Sequence, residues 1–118
     1  MKLFEAVPSE LFSVLASPNR VLYSDALDVL YTAYRENLKI PEEMLYSMLR
    51  SKLEQQLADT TFEGEDIDED ELRDISGRAR FLIRKLCSKG WFEQERGDDF
   101  DEYITVPSYS SRLLELFH

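Results

Sequence analysis

Residues 72–106 read LRDISGRARFLIRKLCSKGWFEQERGDDFDEYITV, and this stretch decides the fold. Its first half has helical spacing, with Leu72, Ile75, Ala79, Leu82, Ile83 and Leu86 recurring at intervals of three and four. Ser88-Lys89-Gly90 closes that helix, and Gly90 is placed to adopt the left-handed conformation that ends helices. The period then changes from 3.6 toward 2. Residues 91–96 and 102–106 are short strands rich in aromatic and β-branched side chains, joined by Gly97-Asp98-Asp99-Phe100-Asp101. A helix running into a β-hairpin is the core of a winged helix, a mostly α fold with a small β-hairpin.

Working outward, the remaining chain supplies helices to pack against this unit. Residues 1–7 form an apolar arm or edge strand through Leu3, Phe4, Ala6 and Val7. Pro8-Ser9-Glu10 opens a brief helical turn, and Ser17-Pro18 reads as an N-cap followed by proline at the first helical position. The helix over 18–38 carries a core stripe of Leu22, Ala26, Val29, Leu30 and Ala33. Pro41-Glu42-Glu43 starts a second long helix, 41–58, with Met44, Leu45, Met48, Leu49, Leu53 and Leu57 inward. Residues 59–70, acidic and poor in apolar side chains, read as a mobile loop. A last helix over 108–117 ends on Leu113, Leu114, Leu116 and Phe117, apolar groups that want cover and suggest a longer parent chain. His118 is either native or the first residue of a tag. The whole of 1–118 is one N-terminal winged-helix domain.

Composition narrows the function. At 118 residues, 43% of them hydrophobic and 32% charged, the chain has the make-up of a globular domain with one modest core. No apolar run approaches the roughly 20 residues of a membrane span, and Met1-Lys2-Leu3-Phe4-Glu5 is not a secretory start. One cysteine, Cys87, cannot pair internally, and the reading that follows is an intracellular protein with a half-buried thiol. The single histidine is residue 118, and no serine or cysteine has a neighbouring base, so catalysis, cofactors and a metal centre are not expected. The acidic run from Asp66 to Glu71 lacks the central glycine and the terminal glutamate of a calcium loop.

Charge is segregated along the chain, which totals −10. Residues 59–74 hold nine acids and one base, whereas 76–90 hold five bases and no acid: Arg78, Arg80, Arg84, Lys85 and Lys89. The hairpin is acidic again, with Glu93, Glu95, Asp98, Asp99, Asp101 and Glu102. The basic helix is the one that many winged helices place in the major groove, so a DNA-binding transcriptional regulator is the alternative function. An acidic wing repels a phosphate backbone, however, and the acidic loop can neutralise the helix in cis. The bases are therefore assigned to an acidic partner surface, the chain's own or another's, and direct DNA binding by this stretch alone is disfavoured. A DNA-mimicking acidic surface is a third reading, resting on charge alone.

A second stripe on the first long helix, Tyr23, Leu27, Tyr31 and Tyr34, has the amphipathic composition of interface cores. With Leu3 and Phe4 it is the expected dimer interface.

The opening MKLFEAVP, the ALDVLYTAY helix, the acidic loop and the block SGRARFLIRKLCSKGWFEQE…FDEYITVPSYS together resemble a known family. They are similar to the N-terminal region of the JetA kleisins of the bacterial Wadjet anti-plasmid systems, which resemble MukF and MksF of condensin-like complexes. The resemblance runs over essentially the whole chain and contains no short catalytic signature. It implies a non-enzymatic scaffold that homodimerises and joins two motor units. Its further implied partners are an SMC-like ATPase, a small winged-helix (kite-type) subunit and a topoisomerase-like nuclease that cleaves circular plasmid DNA. The ATPase-contacting segments would lie beyond His118. The implied location is the bacterial cytoplasm, associated with nucleoid or plasmid.

Overall fold

A computed structural model describes residues 2–118. The elements run α1 (Leu3–Ala6), a 3₁₀ turn (Leu11–Ala16), α2 (Arg20–Glu36), β1 (Ile40–Pro41), α3 (Glu42–Lys52), α4 (Glu54–Asp59), α5 (Glu69–Leu72), α6 (Ile75–Ser88), β2 (Glu93–Arg96), β3 (Glu102–Thr105) and α7 (Ser108–Leu116). The architecture is mostly helical with one small antiparallel sheet in the order β1-β3-β2.

α3 packs on both α2 and α6, and the three enclose the core, because each carries an apolar stripe at helical spacing. Leu30, Ala33, Leu45, Leu49, Ala79 and Leu82 are all within 1% of full burial. A fully buried leucine contributes about 1.5–3 kcal/mol relative to exposure. Trp91 and Phe92 fill the junction between α6 and the hairpin, at 0% and 1% exposure, and Trp91 Nε1 donates to the Leu11 carbonyl at 2.8 Å. That bond ties the 3₁₀ turn to the hairpin entrance and satisfies the indole N–H that burial would otherwise leave unpaired.

Gly90 closes α6 as the spacing predicts. Its φ is +96°, Trp91 N donates to Leu86 O at 3.0 Å, and Gly90 N donates to Cys87 O at 3.1 Å. This is the paired bonding of a Schellman cap. A Cβ there would also strike Pro8 Cγ at 2.5 Å. The hairpin pairs Glu93 with Thr105 through Arg96 with Glu102. All four residues of β2 are exposed, so this strand projects from the body rather than covering it.

Several sequence expectations are corrected. Residues 3–6 form a short exposed helix instead of an edge strand, since Val7 alone of that stretch reaches the core; Met1 lies outside the described residues. Helix α2 begins at Arg20, because the Ser17 hydroxyl turns back to Val14 O at 3.0 Å and does not cap. The helix expected over 41–58 breaks at Leu53, itself buried, with Leu49 and Leu57 buried on either side of the break. Ile40 and Pro41 form a two-residue strand on β3, Ile40 opposite Ile104, too short to leave a period in the sequence. Leu72 ends α5 and is 38% exposed, because Asp74 starts α6 afresh by accepting from Gly77 N at 2.8 Å.

Residues 59–70 depart furthest from the mobile loop that their composition suggests. This segment is not loose: Phe62 is 5% exposed and stands edge-on to the buried Phe81 ring, with centroids 5.7 Å apart, and Ile67 packs on the core. Residues 62–74 thus lie as a strap along α6, pegged by two apolar side chains that its acidic composition obscured.

Candidate functional site: a basic helix beneath an acidic strap

Helical spacing places Arg78 and Lys85 seven residues apart on one line of α6, flanking Phe81, with Arg80 and Arg84 on the adjacent line. The strap crosses this surface. Arg84 meets Glu71 through two bonds, Nε to Oε2 and Nη2 to Oε1, each 2.9 Å, and its Nη2 also donates to Asp66 O at 2.7 Å. The Asp66 carboxylate lies 3.5 Å from Arg84 and 3.1 Å from Lys85 Nζ. Glu65 stands 3.9 Å from the same Lys85 Nζ.

The remaining cations of α6 are also engaged. Arg78 is a brace: it donates to the Leu57, Ala58 and Leu72 carbonyls at 2.8, 3.1 and 3.0 Å, closing the C-terminal ends of α4 and α5. Arg80 lies 3.7 Å from the Tyr46 ring centroid and bonds Glu43 at 2.8 Å. Lys89, just past the end of α6, reaches Glu10 at 3.4 Å.

These pairings leave an electrostatic signature. The hydrogen bond from Lys85 holds the Asp66 carboxyl below its usual range, and that from Arg84 does the same for Glu71. Arg84 is correspondingly held more firmly protonated, first by its bond to Glu71. Glu71 has a second task, accepting from Asp68 N at 3.0 Å as the return half of a capping box that starts α5. Beneath the strap, the buried Tyr23 hydroxyl donates to Glu65, and burial together with that carboxylate pushes its pKa well above the ordinary phenol value. A chain of contacts thus runs from α2 through the strap to α6.

The expected interface residues separate. Tyr23 and Leu27 are 0% and 3% exposed, covered by the chain's own core, which corrects their placement on a free stripe. Tyr31 and Tyr34 are half-buried, and Tyr31 stacks on the His118 ring at 4.5 Å. Leu3 and Phe4 are more than half exposed, on α1. Leu116 and Phe117, which the interface reading did not include, are exposed at 77% and 57%.

The carboxylates that grip α6 were missed as individuals. Asp68-Glu69-Asp70-Glu71 carries the D-x-x-E spacing of a capping box, a legible sign that the acidic segment is structured. The thiol of Cys87 is half-buried, and burial raises its pKa. Among the described residues no group of three His, Cys, Asp or Glu is placed to hold a metal ion. Among the same described residues no helix is long and apolar enough to cross a membrane.

Comparison with known proteins gives concordant results. Residues 29–118 match the family model described as Wadjet protein JetA. A protein from Bacillus cereus (strain Q1) named Wadjet protein JetA is 38% identical over 119 residues, an alignment covering 96% of this chain and 25% of the relative. The chain therefore spans about a quarter of the length of the curated relative it matches. No solved structure matches the chain.

Proposed function

The chain belongs to the JetA family of Wadjet proteins, and from that premise we propose that it is the N-terminal winged-helix scaffold of a kleisin-type subunit. In this reading it homodimerises within a condensin-like complex that restricts plasmid DNA in the bacterial cytoplasm. The winged-helix assignment is supported by the order helix, strand, helices, hairpin, with β1 beside β3 and β2 outermost as the wing. The subunits it would join are an SMC-like ATPase, a kite-type winged-helix protein and a topoisomerase-like nuclease.

One observation carries the scaffold reading over a DNA-reading one. Each cation on α6 is held by groups of the same chain, so the face a reader would turn to phosphate is already occupied. The wing beside it carries Glu93, Glu95, Asp98, Asp99, Asp101 and Glu102, which would repel a duplex. The alternative, a transcriptional regulator, has no comparable support. The dimer contact is assigned to Leu3, Phe4, Tyr31 and Tyr34, with the buried Tyr23 and Leu27 backing them from within.

Multi-angle light scattering at tens of micromolar tests the dimer. The expected mass is twice the 13.9 kDa of the chain, falling to the monomer value for Phe4→Asp with Tyr34→Asp. A wild-type chain that stays monomeric at that concentration removes self-association from the reading.

A further inference from the structure

Surface ion pairs as exposed as Arg84–Glu71 add little stability, roughly 0–1 kcal/mol. The strap nevertheless concentrates negative charge, with eight acids against one base over 62–74. It is seated by Phe62 and Ile67, and Gly77 lets the strap backbone approach α6 closely. A Cβ on Gly77 would fall 2.7 Å from Asp70 O and nearer still to Glu71 O. Apolar pegs and backbone contact therefore fix the position of the strap, and the pairing of Glu65, Asp66 and Glu71 with α6 adds little to seating it.

Their placement indicates which. The guanidinium fork binds carboxylate and phosphate in the same two-point manner, and Glu71 takes both arms of the Arg84 fork. Glu65 and Asp66 flank the neighbouring cation, Lys85. We propose that residues 62–74 are a cis-acting phosphate mimic: Glu65, Asp66 and Glu71 occupy the groups with which α6 would otherwise hold a DNA backbone, and so mask a latent duplex-binding face. DNA is the polyanion assigned, because its major groove is wide enough for a helix whereas that of duplex RNA is deep and narrow. The masked face goes beyond the scaffold reading and does not depend on the dimer, since it concerns one chain's own α6.

Anisotropy of a labelled short DNA duplex at low salt provides the test. The wild-type chain is compared with Glu65→Gln/Asp66→Asn/Glu71→Gln, each protein first checked for native near-ultraviolet dichroism from Trp91. The neutralised variant should bind at least about tenfold tighter, with log affinity falling against log salt at a slope near −2 for two freed cations. Adding Arg84→Ala and Lys85→Ala should abolish that gain. A variant of equal net charge, Glu5→Gln/Glu36→Gln/Glu115→Gln, on α1, α2 and α7, should bind as wild type does. No gain in a natively folded strap variant overturns the proposal. So does a gain that survives loss of Arg84 and Lys85, or one that the equal-charge control reproduces. If the triple variant does not fold, Asp66→Asn/Glu71→Gln, which keeps the Tyr23–Glu65 bond, decides on the same criteria. The scattering mass is a separate readout, so failure here and failure of the dimer are distinguishable.

Discussion

Arg84 of α6 and Glu71 of the strap face each other in a two-point ion pair, with both N···O separations 2.9 Å. Thirteen positions apart in sequence, they close the strap onto α6, and Glu71 also caps α5 through Asp68 N. The pair therefore joins a local helix start to a tertiary contact. Arg84 keeps 42% of its side chain exposed while Glu71 keeps 16%, so solvent screens the arginine far more than the acid.

A double-mutant cycle with Arg84→Ala and Glu71→Gln should return a coupling of about 0.5–1 kcal/mol by denaturant unfolding. Arg84→Lys should recover less than half of it, because an ammonium cannot engage both carboxylate oxygens. Full recovery by lysine would show that charge, not two-point geometry, makes the contact.

Acid should weaken the strap. Asp66 and Glu71 have folded-state pKa values below their unfolded ones, so the stability they contribute is present above the unfolded carboxylate range, about pH 4. It is lost as pH falls through the lowered folded values. Unfolding free energy should decline below that range, and Asp66→Asn/Glu71→Gln should flatten the decline. Equal slopes in wild type and variant would assign the acid sensitivity to other carboxylates.

Gly77→Ala should destabilise the chain although alanine is the better helix former by about 1 kcal/mol. The added methyl would press on the Glu71 and Asp70 carbonyl oxygens, which are backbone and cannot swing aside. A net loss of about 1–3 kcal/mol is expected in thermal or urea unfolding, with faster amide exchange over 62–74. An unchanged or raised melting temperature would mean that the strap yields without cost.

Ser110→Ala should be neutral or stabilising. Its hydroxyl is fully buried on α7 with no hydrogen-bond partner among the described residues. Removing an unpaired buried polar atom relieves a desolvation cost of about 1–3 kcal/mol, against which the loss of one small atom's packing is minor. A drop in melting temperature would reveal a partner such as an ordered water.

Much of this architecture was written in local pattern. The three apolar stripes, the glycine stop at position 90 and the change of period after it define α2, α3, α6 and the hairpin without reference to the rest of the chain. Charge segregation likewise announced that α6 would meet carboxylates. Composition hides the order of 59–70: a dozen residues with two apolar members look unfolded, yet two well-placed pegs suffice when the neighbour is a helix with a buried ring to cover. Strand β1 left no trace because two residues cannot establish a period and one of them is proline.

The sequence by itself thus determined the long helices, the hairpin, the basic helix and its acidic neighbours, since these follow from spacing and charge along the chain. Only the tertiary structure decided which acid meets which base, and that Tyr23 and Leu27 belong to the core while Tyr31 and Tyr34 remain half-open. The physical reason is that burial and ion pairing depend on what crosses a surface. Glu65, Asp66 and Glu71 reach Arg84 and Lys85 because Phe62 and Ile67 seat the strap, not because of any interval along the chain.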